Sequence, residues 1–119
     1  SNMNVNIKYF LVTCLLFLVG QTGVWFQLNI QFLWEWAKKH PLLISLMGVP
    51  FSYLFILATS YGEKAFLGLM WPQRFLGFSI GIIVYAILTY LFLNQGVTTK
   101  TWLSLSLAVL IIIIQIGFK

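Results

Sequence analysis

The chain has 119 residues, of which 61% are hydrophobic and 8% are charged, and its formal net charge is +5. A soluble domain carries about a quarter of its residues as charged side chains, so this composition excludes an ordinary soluble fold and leaves no room for a second domain. In so apolar a chain, we interpret the positive charges as topology signals and lipid headgroup contacts, and we expect no nucleic-acid partner.

Four apolar segments are each long enough to cross a bilayer. Because a hydrocarbon core of about 30 Å takes about 20 residues of helix, the sequence predicts an all-α integral membrane protein with one four-helix transmembrane domain over residues 7–119. The predicted spans are residues 7–28, 41–61, 75–93 and 102–118. We interpret residues 1–6 as a short N-terminus that begins with a tag-cleavage remnant, Ser1-Asn2.

The first predicted span carries Gln21 near its middle and Trp25 one turn later. An amide left unpaired in hydrocarbon costs roughly 4 kcal/mol or more, so Gln21 is expected to have a hydrogen-bond partner. The following segment, residues 29–40, mixes aromatic and basic side chains. That mixture suits either a continuation of the helix into the interface or a segment lying on the membrane surface.

Prolines mark the second span and the link that follows it. Pro41 is well placed for the first turn of a helix, where its missing N–H costs nothing. Pro50 falls inside the span and predicts a kink, which the preceding Gly48 makes easier. Pro72 indicates a break or a helix start, and the apolar residues before it suit a short interfacial or re-entrant piece.

The third and fourth spans carry small side chains at helical spacing. In the third span, small and hydroxyl-bearing side chains repeat every four residues at Gly77, Gly81, Tyr85 and Thr89. Small residues four apart let two helix backbones approach closely in a membrane. We therefore predict helix-packing roles for Gly77 and Gly81, and for Ser104 and Ala108 in the fourth span. A tight turn at Asn94-Gln95-Gly96 is expected between these two spans.

Few residues could carry catalytic or metal chemistry. The two carboxylates, Glu35 and Glu63, both lie at predicted span boundaries, and His40 has no partner at metal-ligand spacing. Cys14 is the single cysteine, which excludes a disulfide within the chain. These residues form no triad and no pair of acids. We therefore expect no enzyme activity, no metal site and no cofactor.

The uncharged polar residues leave two interpretations open. In the first, Gln21, Trp25 and Tyr85 line a polar chamber between helices and bind a small organic solute. In the second, they are interhelical hydrogen bonds that each contribute about 0.6 kcal/mol to stability. A non-transporting scaffold or partner subunit follows from the second interpretation. A channel is less favoured, since the sequence shows no filter-like loop and no acidic ring.

The basic residues do not decide the orientation of the chain in the membrane. Four spans place both termini on one side of the membrane. That side would hold Lys8, Lys64, Arg74 and Lys119, and the other would hold Lys38, Lys39 and Lys100. Four against three is almost no bias under the positive-inside rule. Either a subtler feature sets the orientation, or the chain inserts both ways and an antiparallel homodimer becomes feasible.

Residues 79–116 resemble the third and fourth helices of the small multidrug resistance proteins and their four-helix relatives in the drug/metabolite transporter superfamily. The resemblance rests on the small-x-Gly pair Ser79 and Gly81, an aromatic-rich helix end, the polar turn at Asn94-Gln95-Gly96 and the apolar last helix. The spacing from Phe51–Tyr53 to Gln95 also fits a four-helix branch of this superfamily. The resemblance implies the fold, pairing of two antiparallel copies through the fourth helix, and a substrate site that would include Ser79.

One position departs from that family. The small multidrug resistance proteins carry a membrane-embedded glutamate in helix one, where this chain offers Gln21, which cannot release a proton. We therefore expect a small transporter that binds its solute at Gln21, Trp25, Tyr85 and Ser79, without proton-coupled export through helix one. The expected partners are the lipid bilayer, a second copy of the chain and a small organic solute. The expected location is a prokaryotic inner membrane.

Overall fold

The structure is a computed structural model that describes residues 5–118, and all regular elements in that range are helices. Residues 1–4, which include the predicted tag remnant, and Lys119 lie outside the described residues. The elements are α1 (Ile7–Asn29), a 3₁₀ turn (Ile30–Phe32), α2 (Glu35–Lys39), α3 (Pro41–Ser45), α4 (Gly48–Ala65), α5 (Trp71–Leu93) and α6 (Thr99–Gly117).

Four helical stretches are long and apolar enough to cross a membrane. They comprise Ile7–Phe32, Pro41–Ala65, Trp71–Leu93 and Thr99–Gly117. The predicted all-α fold with four such helices is confirmed, while the pairing of two copies stays a prediction. Two of the helices start earlier than expected. Pro72 lies in the first turn of α5, and the Thr98 side chain caps α6 by accepting from the Thr101 N–H.

The four long stretches lie side by side in the order α4, α1, α5, α6. Helix α1 packs between α4 and α5, and α5 packs against α6 on its other side. Helices α1 and α5 run parallel, and each of the other neighbouring pairs runs antiparallel. The Cα atoms extend over 51 × 35 × 18 Å, so the bundle is flattened. A flattened bundle leaves both faces of its central helices uncovered over much of their length.

The hydrophobic core lies between α1, α4 and the start of α5. It contains Val5, Phe17, Ala58, Ala65, Phe66 and Leu76. Phe66, in the link between α4 and α5, is 1% exposed and packs edge-on against Phe10, with ring centroids 6.0 Å apart. Gly62 permits the contact between α4 and α5, because a Cβ there would lie 2.6 Å from Gln73 Cβ. The end of the molecule that holds Val5 and Phe66 is therefore the better packed end.

The second stretch is interrupted between α3 and α4, one turn before the proline expected to kink it. Pro50 has no N–H, so the Leu46 carbonyl lacks its usual donor four residues later. The N–H of Val49 instead donates to Leu46 O at 3.2 Å, in the tighter 3₁₀ pattern. The local cause is the predicted one, but the distortion falls at residues 46–47, on the N-terminal side of Pro50.

The two remaining links are short and irregular. Leu67 and Gly68 have positive φ angles of 56° and 95°, so the residues before Pro72 form a turn that cannot continue a helix. The residues predicted to form a short interfacial or re-entrant piece therefore form a turn, and their position relative to the lipid stays a prediction. At the other end of the molecule, Asn94 caps α5 in the left-handed conformation with φ 58°. Residues 95–98 then lead to α6 without regular structure.

Candidate functional site

The contact between α1 and α5 depends on glycines in α5. A Cβ on Gly77 would lie 2.8 Å from Phe17 Cε1, and one on Gly81 would lie 2.8 Å from Gln21 Cδ. Both distances are shorter than real Cβ contacts allow. The absence of side chains at these two positions therefore lets side chains of α1 rest directly on the backbone of α5. We refer to this contact as the α1–α5 seam.

Gln21 is half-buried in the seam. Its Nε2 donates to the carbonyl oxygen of Gly77 at 3.2 Å. Among residues 5–118, no hydrogen bond reaches Gln21 Oε1, so one half of the amide is bonded within the protein and the other half can accept a further donor.

Hydrogen bonds hold both the side chain and the backbone of Trp25 in place. The indole is 2% exposed, and its Nε1–H donates to Thr89 Oγ1 at 3.1 Å. Asn29 Nδ2 donates to the Trp25 carbonyl at 2.9 Å. The indole ring also packs against Phe92, with ring centroids 5.8 Å apart. Trp25 therefore forms a rigid wall at this level of the seam.

Thr89 and Asn29 were not among the predicted site residues. Thr89 belongs to the four-residue repeat of α5, and Asn29 follows Trp25 by one helical turn. The spacing could have assigned both residues to the seam, because positions four apart lie on the same face of a helix.

Gln21, Trp25 and Tyr85 border one cleft between α1 and α5. The other residues around it are Val24, Leu28, Asn29 and Gly81. Its volume is about 130 Å³, which equals roughly four water molecules at about 30 Å³ each. Drug-sized ligands occupy pockets of about 300–1,000 Å³. In a single chain the cleft can therefore hold only a very small solute, and because Tyr85 is 52% exposed the cleft is open on one side.

Ser79 does not join this cleft. It is fully buried on the other side of α5, where its hydroxyl donates to the Ala108 carbonyl of α6 at 2.9 Å. Two residues correspond to about 200° around a helix, so Ser79 and Gly77 face nearly opposite directions. Ser79 is therefore in contact with α6, and the other three predicted solute-binding residues are at the seam.

The predicted helix-packing residues of α6 lie in different surroundings. Ala108 is 3% exposed and forms the crossing point with Ser79. Ser104, one turn earlier, is exposed, and its hydroxyl donates to the Lys100 carbonyl of its own helix at 3.0 Å. Of these two residues, Ala108 is therefore the one that lies at the contact between α5 and α6.

Helices α5 and α6 diverge from that crossing towards the Asn94 turn. One side of the gap is an apolar cavity of about 590 Å³, bordered by residues such as Ile83, Ile87, Trp102 and Leu105. The opposite side is a cavity of about 330 Å³ that carries the more polar set Tyr85, Thr89, Gln95, Thr101 and Ser104. Tyr85 borders both this second cavity and the small cleft. Tyr85 therefore separates the small cleft from the 330 Å³ cavity.

The electrostatics of all three spaces are simple. None of the residues that border the small cleft or the two gap cavities is an aspartate, glutamate, lysine, arginine or histidine. Over the described range 5–118, no group of three or more His, Cys, Asp or Glu side chains is placed to hold a metal ion. The cleft offers an amide oxygen, a phenol and an aromatic wall, and no carboxylate, amine, guanidinium or imidazole.

Comparisons with known protein families, with curated proteins and with solved structures find no match to this chain. The resemblance to the small multidrug resistance proteins therefore stays a prediction from the sequence.

Proposed function

We propose that this protein is a small transporter-like membrane protein that binds and moves a small organic solute at the α1–α5 seam. One observation carries this proposal: Gln21, Trp25 and Tyr85 converge on a single cleft between the C-terminal half of α1 and the middle of α5. The free acceptor Gln21 Oε1 suits a solute that donates a hydrogen bond, and the Trp25 ring suits an apolar or planar group. Since no charged residue borders the cleft, an uncharged solute fits best.

A homodimer would complete this site. The cleft of about 130 Å³ is small and open on one side, and a second copy packed against that side would enlarge and enclose it. Pairing of antiparallel copies agrees with the resemblance to the small multidrug resistance proteins. It also agrees with the charges, because Lys8, Lys64 and Arg74 lie at one end of the described chain and Lys38, Lys39 and Lys100 at the other. A bacterial-type inner membrane suits such a protein.

The proposed transport is facilitative and not coupled to protons at the seam. A proton-coupled site within the membrane needs an ionisable group, and the position that would supply it is Gln21. An amide can hold the solute by hydrogen bonding but cannot release a proton between steps. Solute flux should then follow the solute gradient and be insensitive to a pH gradient.

Flux into reconstituted vesicles tests this proposal. A panel of small uncharged solutes is measured with and without a pH gradient, for the unaltered chain and for Gln21→Ala. The expected result is flux of at least one solute, insensitive to the gradient, that falls about tenfold in Gln21→Ala, since one lost hydrogen bond of about 1.4 kcal/mol corresponds to that factor. Gln115→Ala removes a half-buried amide from α6 and should leave flux unchanged. Equal flux in both variants would remove Gln21 from the site.

A second candidate function is that of a membrane scaffold or partner subunit without transport. The observation in its favour is that Gln21, Trp25 and Ser79 each donate a hydrogen bond within the chain, which gives all three a structural purpose. This candidate predicts no flux of any solute in the panel. It also predicts that Gln21→Ala lowers the thermal stability of the chain and changes nothing else.

The antiparallel dimer has a separate test. Lys100 is exposed at the start of α6, so Lys100→Cys in a Cys14→Ser background places a single reactive thiol at one end of the molecule. A membrane-impermeant maleimide should label this variant from both faces of the membrane if the chain inserts both ways. Labelling from one face only would contradict the antiparallel dimer. The seam cleft would then belong to a chain that inserts in one orientation.

A further inference from the structure

The link between the first two membrane-length stretches carries three stacked aromatic rings. Trp34 and Trp36 stack with ring centroids 4.8 Å apart, and Trp36 and His40 stack at 4.4 Å. The two indoles are 53% and 41% exposed. We call these three residues the aromatic ladder. Both indole rings are therefore accessible on the surface of the protein.

Local contacts hold the ladder in a defined position. Ala37, on the inner side of α2, is 2% exposed, so this short helix is seated on the rest of the protein. His40 Nδ1 lies 2.7 Å from the Trp36 carbonyl oxygen, which fixes the imidazole ring over the indole. The outward direction of the ladder therefore follows from the packing of α2.

Two lysines accompany the ladder. Lys38 and Lys39 are both exposed and lie in the last turn of α2, where the carbonyl end of the helix favours positive charge. Glu35 is the single acidic residue of α2, so the helix has a positive net charge.

The position of α2 in the chain places it at a membrane surface. It lies between Ile7–Phe32 and Pro41–Ala65, both of which are long and apolar enough to cross a bilayer. A link between two spans must emerge at the level of the lipid headgroups. Tryptophan is enriched at that level, and lysine near it is attracted to anionic lipids.

We infer that α2 and the aromatic ladder form a headgroup-binding platform for an anionic phospholipid, separate from the solute cleft. Trp34 and Trp36 insert beside the glycerol region of the lipid, and the ammonium groups of Lys38 and Lys39 bind its phosphate. Charge complementarity selects the anionic lipid over a zwitterionic one. The platform is a property of the chain whether or not the chain transports a solute.

Lipid retention by the full-length protein tests the platform. Native mass spectrometry of the purified chain measures how many phosphatidylglycerol and phosphatidylcholine molecules stay bound after release from mixed micelles. The variant Lys38→Gln/Lys39→Gln is compared with Lys8→Gln/Arg74→Gln, which removes the same charge from exposed positions at the opposite end. Both pairs lie on the surface, so helix content and melting temperature should match those of the unaltered chain.

The expected result is a loss of phosphatidylglycerol affinity in the platform variant alone. Two lysines near an anionic surface contribute about 1 kcal/mol each, which corresponds to roughly 30-fold for the pair at low ionic strength. Phosphatidylcholine retention should be low and equal in all variants. An equal loss in both double variants, or no loss in either, would overturn the proposal, because lipid binding would then depend on net charge or on no charge at all.

A third variant examines the ladder itself. Trp34→Ala/Trp36→Ala keeps both lysines, and we expect a severalfold loss of phosphatidylglycerol binding that added salt does not abolish. The lysine effect, in contrast, should shrink as salt is raised, since exposed charges are screened. Unchanged binding in the tryptophan variant would overturn the role of the ladder.

Discussion

Helix α5 contacts a helix on each side, and the two contacts are built differently. Towards α1, the glycines at 77 and 81 remove side-chain bulk, and Gln21 and Trp25 donate hydrogen bonds across the seam. Towards α6, one interhelical hydrogen bond joins Ser79 to the Ala108 carbonyl, and two cavities open between the helices towards the Asn94 turn. The seam thus combines glycines with two interhelical hydrogen bonds, whereas the α5–α6 contact has one such bond beside two cavities.

The difference shows what holds apolar helices together when their surroundings are also apolar. Lipid chains are as hydrophobic as leucine, so burial of apolar surface contributes little, and close packing of small residues and interhelical hydrogen bonds decide which helices stay together. Helix α5 meets α1 with glycines. Towards the N-terminal half of α6, its side chains Ile83 and Ile87 border the larger cavity.

The largest expected effect is that of adding a methyl group to the seam. In Gly77→Ala the new Cβ would lie 2.8 Å from the Phe17 ring, and Phe17 is 5% exposed and has little room to move. Overpacking of this kind typically costs about 1–3 kcal/mol. Thermal unfolding in detergent micelles, followed by circular dichroism, should show a clear loss of stability.

Gly117→Ala is the matched control on α6. Its Cβ would meet no atom within 4 Å, so the change in unfolding free energy should stay within about 0.5 kcal/mol. If the two glycine variants unfolded alike, the loss of stability in Gly77→Ala would not come from the contact with Phe17.

An intermediate effect is expected at the buried hydrogen bond of the seam. Thr89→Val keeps the shape of the side chain but removes the acceptor for the Trp25 indole N–H. Interhelical hydrogen bonds of this type average about 0.6 kcal/mol in membranes, with a maximum near 1.7, and this bond should fall in the upper half because Trp25 is 2% exposed. Thr89→Ser retains the hydroxyl and should keep most of the stability; a loss equal to that of Thr89→Val would show that the bond contributes nothing.

The smallest effect is expected at the crossing of α5 and α6. Ser79→Ala removes the one hydrogen bond between these helices, and we expect a loss of about 0.6 kcal/mol. Ser106→Ala removes a hydroxyl bonded within α6 to the Trp102 carbonyl at 2.9 Å and should have almost no effect. A Ser79→Ala loss larger than that of Gly77→Ala would mean that the crossing stabilises the chain more than the seam.

Much of the fold could be predicted from the sequence because a bilayer imposes its own length scale. Runs of about 20 apolar residues with few charges predict helices long enough to cross a membrane. The four-residue repeat in α5 likewise predicted which side of that helix carries its small residues. Gln21, Trp25 and Tyr85 do border one cleft, and their role in solute binding stays a prediction.

Three features could not be obtained in the same way. The family resemblance groups Ser79 with the solute site, whereas its angular position on α5 directs it to Ala108 of α6. The break at residues 46–47 leaves backbone carbonyls just before it without their usual helical donors. Gln27 Nε2 donates to two of these carbonyls, Ile44 O and Ser45 O, at 3.3 and 3.4 Å. That support comes from a distant part of the chain. The composition of residues 29–40 is compatible with both a helix and a surface segment. In the structure they form a 3₁₀ turn and the short α2, which is seated on the protein through Ala37.

The few residues between Asn94 and α6 have a mechanical consequence. They include no regular structure, and α6 is joined to the other helices chiefly through α5. Swinging α6 away would break the Ser79 bond and would exchange the packing of Ile112 and Ile116 against the core for contacts with acyl chains. Its detachment would therefore break one interhelical hydrogen bond, whereas opening the seam would break two and expose the glycines of α5.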